Sequence, residues 1–275
     1  MSGFALPMLV FEILLSLGGL VLLWRHVASP AARLNARPSP LPAWKPEITE
    51  LLILIAFVTL GMFIASFGAN LLIRANGLRG DIAIVAGGAA AQIGMLLGVI
   101  FYAARCPGYR RQAEIGLGRI LRSGVVTFLI AMPILHATGQ AWDLLLRLFG
   151  VPAERQDLIR MFLEAESGWQ ITSLVLLAVA IAPVAEELIF RAGLFRFLLT
   201  LAPRFLALLL PGVFFAALHV NWVTLEGFAS FLPLLVLSLL FSLAYERTGH
   251  IGTVIVAHAL FNLNTIAMIF CGVGT

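Results

Sequence analysis

Eight apolar runs divide this chain, near residues 4–24, 50–73, 82–104, 123–138, 170–199, 205–219, 229–245 and 252–271. Several are long enough for a helix of roughly 20 residues to cross a bilayer. With 61% hydrophobic and 12% charged residues, and a mean hydropathy of +1.01, the chain cannot be an ordinary water-soluble domain. The expected fold is all-α: a polytopic membrane helix bundle of about eight transmembrane helices.

Charge sets the expected orientation. The first run is not preceded by a basic residue, and Arg25 and His26 follow it instead, which argues for a retained helix with its N-terminus outside rather than a cleaved signal peptide. Alternate loops then carry Arg25, Arg33, Arg37 and Lys45, next Arg105, Arg110, Arg111, Arg119 and Arg122, next Arg196 and Arg204, and last Arg247. The intervening loops hold chiefly Arg74 and Arg79, so the positive-inside bias puts both termini outside. This bias also accounts for the net charge of +4; no nucleic-acid partner is expected, since no nucleic-acid module is present. Cys106 and Cys271 give neither a disulfide framework nor a zinc spacing. The Pro38-Ser-Pro-Leu-Pro42 stretch reads as a cytoplasmic linker.

Residues 139–169 mix Asp143, Arg147, Glu154, Arg155, Asp157, Arg160, Glu164 and Glu166 with Trp142, Leu144, Leu145, Leu148, Phe149 and Trp169. An interfacial amphipathic helix pair on the outer face is the plain reading, and a substrate gate is the sharper one. The expected organisation is therefore an N-terminal part, 1–169, with transmembrane helices and the amphipathic segment, and a core of helices over 170–275.

Pro183-Val-Ala-Glu-Glu-Leu-Ile-Phe-Arg191 places two carboxylates and a guanidinium inside an apolar run. Ionisable groups at membrane depth are costly and mark function. Glu187 and Arg191 are four apart, share a helix face and can pair. Glu186 lies about 100° around the helix and lacks that partner. A desolvated carboxylate without a cation is suited to general-base work.

Two further constellations follow. His219, in Phe215-Ala-Ala-Leu-His219, lies about as far from the turn at 201–203 as Glu186 does, so antiparallel helices bring the two to similar depth. His258 and Asn262 share a face of the last span and suit an oxyanion; taken alone they read better as interhelical polar glue worth about 1 kcal/mol, and only together with the other two constellations does the oxyanion reading prevail.

Glu186-Glu187 with Arg191, Phe215 with His219, and His258 with Asn262 together resemble the CPBP family of intramembrane proteases, named for CAAX proteases and bacteriocin-processing enzymes. Phe190 before the arginine and the Gly249-led approach to His258 fit the same pattern, while Ala192 stands where glycine is common and Gly193 follows. The resemblance covers roughly residues 170–270. It implies an intramembrane endopeptidase acting on a membrane-associated protein or peptide, with Glu186 as general base on a water that His219 holds. It further implies His258 and Asn262 as oxyanion donors, and Glu187 and Arg191 as the architecture of the site. No cofactor is expected. The chain has no His-Glu-x-x-His helix, and a metal would need Glu186, His219 and His258 with Asn262, an amide that zinc seldom selects. A glutamic-type protease is therefore favoured over a zinc-dependent one.

Other polar residues have plainer readings. Glu12 is expected to pair with another helix or sit near the outer interface, and His136 to fill the backbone gap left by Pro133. Asn70, Gln92 and Asn264 read as interhelical hydrogen bonders. Asn221 and Trp222 line the site's mouth or, for Trp222, anchor the interface. Two other function classes also place Glu and His in a membrane. One is a non-catalytic immunity or scaffold protein; the other is a proton-coupled transporter, which predicts an inverted repeat that this sequence lacks. The arginine-rich, lysine-poor composition points to a prokaryotic plasma membrane.

Overall fold

The structure, a computed structural model, describes residues 3–34, 38–42, 44, 46–151, 162, 165, 167–224 and 226–273, and among them every regular element is helical. Seven helices are long and apolar enough to cross a membrane. They are α1 (Ala5–Leu23, prolonged by a π-helical turn, Trp24–Ala28), α2 (Ile48–Ala75), α3 (Asp81–Arg105), α4 (Leu117–Leu148), α5 (Gly168–Leu201), α7 (Phe231–Thr248) and α8 (Ile251–Cys271). Between α5 and α7 lies α6 (Arg204–Ala217). The chain is an integral, multi-pass membrane protein.

The eight apolar runs appear as seven long helices and one short one, in keeping with the expected bundle of about eight. The run at 205–219 forms only the 14-residue α6, about 21 Å long against a hydrocarbon thickness of about 30 Å. The run at 123–138 is the middle of the 32-residue α4. Residues 139–148 continue α4 instead of starting a separate interfacial helix: Gly139 is carried within the helix, and no further Gly or Pro intervenes before Gly150, whose φ of +72° ends it. Glu154, Arg155, Asp157, Arg160, Glu164 and Glu166 lie outside the described residues.

The arginine-bearing connections meet at one end of the bundle. Arg247 donates to the carbonyl of His26 at 2.6 Å, Ser39 to that of Glu246 at 2.6 Å, and the Ala113 N–H to Gly249 at 2.8 Å. Arg196, only 2% exposed, donates to the carbonyls of Tyr109 and Pro42 at 3.0 and 2.9 Å. Arg204 and Glu246 close the same end with a 2.6 Å ion pair. The linker read at 38–42 is thus folded under the bundle.

Helices α2 and α3 cross at very close range. A Cβ on Gly61 would lie 2.3 Å from the Gly94 carbonyl oxygen, and one on Gly94 equally close to that of Gly61. Small residues at such a crossing let backbones touch, which is how helices associate in lipid. The crossing holds α3 at a fixed depth and rotation, with Gln92 two residues before it.

Helix α1 packs on α4, where the buried Glu12 lies 3.5 Å from His136 Nε2 and Ser16 Oγ lies 2.9 Å from His136 Nδ1. His136 therefore serves Glu12 and Ser16 of α1 rather than the gap behind Pro133, and Glu12 finds its partner on another helix. Asn70 and Asn264 correct the expectation of interhelical bonds, since they turn back to Ser66 O and Met268 Sδ of their own helices.

Candidate active site

Helix α5 is not regular. A π-helical stretch over Leu177–Ile181 precedes the α-helical Ala182–Glu187, and a second runs over Leu188–Phe195. Pro183 explains the first: it has no N–H and cannot serve the ladder behind it. Ala182 N–H bonds Leu177 O, so in this five-residue register the donor for Ala178 O would be Pro183. The carbonyl of Ala178 is left for another donor, and Asn262 Nδ2 on α8 supplies it at 2.7 Å. Such π-turns inside α-helices often accompany functional sites.

Two turns on, Glu187 and Arg191 are fully buried and paired, Nη1 to Oε1 at 3.0 Å. The same Oε1 receives His258 Nδ1 at 2.8 Å. Arg191 also lies over the rings of Phe215 and Phe241, at 4.8 and 5.5 Å from their centroids, where the ring faces favour a cation. Its Nε and Nη2 have no hydrogen-bond partner among the described residues.

His219 stands just past the C-terminus of α6. Its Nδ1 is 2.7 Å from Phe215 O; a carbonyl only accepts, so Nδ1 carries the proton of that bond. The ring is further held against Phe215, centroids 4.5 Å apart, and His258 is held against Phe241 at 5.5 Å. With both Nδ1 atoms engaged, both Nε2 atoms face Glu186. Each lies 3.9 Å from Glu186 Oε2. That is beyond direct hydrogen-bond reach, and a separation at which a water can join the groups.

The other Glu186 oxygen is approached by Gln92 Nε2 of α3, at 3.4 Å. Gln92 Oε1 is buried without a hydrogen-bond partner among the described residues. Gln92 is the interhelical hydrogen bonder expected of it, and its partner is the Glu186 carboxylate of α5. A polar side chain midway along α3, after the small residues Ala89, Ala90 and Ala91, was the available signal.

The structure thus brings five of the six sequence-derived residues into one chain of contacts: Glu186, Glu187, Arg191, His219 and His258. Asn262 is one turn beyond His258, and its recorded bond is the interhelical one to Ala178. Among the described residues no three His, Cys, Asp or Glu side chains are arranged as a metal-binding group.

Residues 168–264 match a family model described as type II CAAX prenyl endopeptidase, Rce1-like. Over that third of the chain the protein is similar to this family. The matched segment contains all three motifs, from Glu186 to Asn262, and it agrees with the CPBP resemblance read from them. Neither the curated proteins nor the solved structures give a match. The matched segment begins at the first residue of α5 and stops seven residues before the end of α8, so Gln92 lies outside it.

Proposed function

We propose that the chain is an intramembrane endopeptidase of the glutamic type, hydrolysing a peptide bond of a membrane-associated polypeptide. The observation that carries this reading is the approach of two histidine Nε2 atoms to one Glu186 oxygen, each at 3.9 Å. The Rce1-like family supports the general class, a membrane endopeptidase. The core over 170–275 would carry the catalytic side chains and the part over 1–169 would brace it. The composition favours a prokaryotic plasma membrane.

In this reading Glu186 Oε2 and His219 Nε2 bind one water. Glu186 takes its proton as the oxygen attacks the scissile carbonyl, and later gives that proton to the leaving amine. His219 presents Nε2 because Phe215 O fixes its other nitrogen. The oxyanion is held by His258 Nε2–H in the protonated ring and by the second N–H of the Asn262 amide. Glu187 stabilises that imidazolium, as a carboxylate behind a histidine does elsewhere, while Arg191 prevents an excess of negative charge on the pair Glu186 and Glu187. No step needs a metal.

Glu186→Gln in a well-expressed protein should leave an uncleaved precursor among the membrane proteins of the host. Unchanged processing would overturn the protease reading in favour of an immunity or scaffold role. Stoichiometric zinc in active protein, with activity lost to a chelator and restored by zinc, would replace the glutamic mechanism by a zinc-dependent one.

A further inference from the structure

The site is open at one end and closed at the other. Towards the arginine-bearing connections, Glu187, Arg191, Phe195 and Tyr245 are each 0% exposed. Beyond them Arg196 is tied to Tyr109 and Pro42. Among the described residues these buried side chains close that end. In the other direction the His219 side chain is 36% exposed, and past the buried Val220 the chain is open, Trp222 at 60% and Val223 at 92%.

Helix length says what the exposed end faces. Helix α6 spans 14 residues, about 21 Å, and ends at Ala217, two residues before His219 and short of the roughly 30 Å needed to cross. Residues 219–224 are not helical, and irregular backbone at membrane depth is tolerated only against protein or water. Its bonds are local: Val223 N–H to Asn221 Oδ1 at 3.0 Å, Trp222 Nε1 to Ala217 O at 2.8 Å. Trp142 Nε1 reaches Phe228 O at 3.0 Å beside it, so two indoles mark the interface level three residues from His219. The short helix lets water down to His219 from the face that is poorer in arginines, where the connections hold chiefly Arg74 and Arg79. By the positive-inside rule the opposite, arginine-rich face is the cytoplasmic one.

We propose that the site opens to the extracytoplasmic face, and that its substrate is a membrane-anchored polypeptide presenting an extended, apolar juxtamembrane segment from that side. The substrate half of this inference rests on the protease reading; the direction of opening does not. Residues 218–224, Leu-His-Val-Asn-Trp-Val-Thr, carry no Asp, Glu, Lys or Arg, which suits an uncharged stretch next to an anchor better than a charged tail.

The full-length chain with C106A and C271A, carrying either Val223→Cys or Arg111→Cys, tests the direction with a membrane-impermeant maleimide. Val223 has almost no contacts to lose. In intact cells V223C should label at least tenfold faster than R111C, and in inside-out vesicles the order should reverse. Labelling of V223C from the R111C side, or from neither side, would overturn the proposal. Because labelling needs no activity, it is read equally in E186Q protein, which separates it from failure of the protease reading. In E186Q cells the accumulating precursor should be degraded by proteinase K added outside; a precursor whose uncut segment is digested only in inside-out vesicles would overturn the substrate assignment.

Discussion

His258 Nδ1 sits 2.8 Å from Glu187 Oε1, the oxygen that also receives Arg191 Nη1 at 3.0 Å. One carboxylate therefore neutralises a buried guanidinium and fixes which histidine nitrogen faces Glu186. The two tasks separate by substitution. Glu187→Ala strands Arg191 in a fully buried position and should cost about 3–5 kcal/mol, seen as loss of monodisperse protein in detergent. Glu187→Gln keeps the volume but not the charge behind His258. It should fold better than the alanine variant and still lower the cleavage rate by roughly 10²–10⁴. Equal cleavage by Glu187→Gln and the natural chain would show that His258 works without a charged partner.

Gln92 donates to Glu186 Oε1 at 3.4 Å from a helix outside the matched segment. Removing the amide leaves the carboxylate oxygen without its donor. Gln92→Leu should lower cleavage about 10-fold to 100-fold, the effect of a lost hydrogen bond to a charged group. Gln92→Glu should lower it further, because it removes the donor and sets a like charge beside Glu186. If neither substitution changes the cleavage rate per folded molecule, Gln92 only packs.

Much of the site could be read from spacing alone. A four-residue interval pairs Glu187 with Arg191 in any helix, and equal distances from the turn at 201–203 set Glu186 level with His219. The bond from His258 to Glu187 was hidden, because it depends on how α8 rotates against α5. Asn262 was legible in principle: Pro183 deprives one upstream carbonyl of its donor, but only the π register identifies that carbonyl as Ala178. Hydropathy marks the run at 205–219 as apolar without marking where its helix stops, so the shortness of α6 was not legible. The amphipathic segment was misread at its start because charge at 143 and 147 ends an apolar run without ending a helix.

The α2–α3 crossing predicts a mutation with an effect at a distance. A Cβ on Gly61 would overlap the Gly94 carbonyl at 2.3 Å, and that atom is backbone, so the helices must separate. Gly61→Val should destabilise the protein by roughly 1–3 kcal/mol, as overpacking does, measured by thermal unfolding in detergent. Since α3 carries Gln92, residual folded protein should also show part of the Gln92→Leu defect. A Gly61→Val protein with lowered melting temperature and full activity per folded molecule would uncouple the crossing from the site.

His250 predicts a pH dependence outside the membrane-spanning helices. Its Nδ1 accepts the Gly252 N–H at 3.0 Å and caps α8, so the neutral ring is the capping form. Burial pushes its pKa below the usual 6.5. The unfolded chain therefore binds a proton at this position before the folded one does. The stabilisation is complete above about pH 6.5 and declines as the pH falls from there through the folded-state pKa. The melting temperature should drop between about pH 7 and 5, and His250→Asn, which caps without titrating in that range, should flatten this part of the curve. An unchanged slope in the asparagine variant would assign the acid sensitivity to other groups.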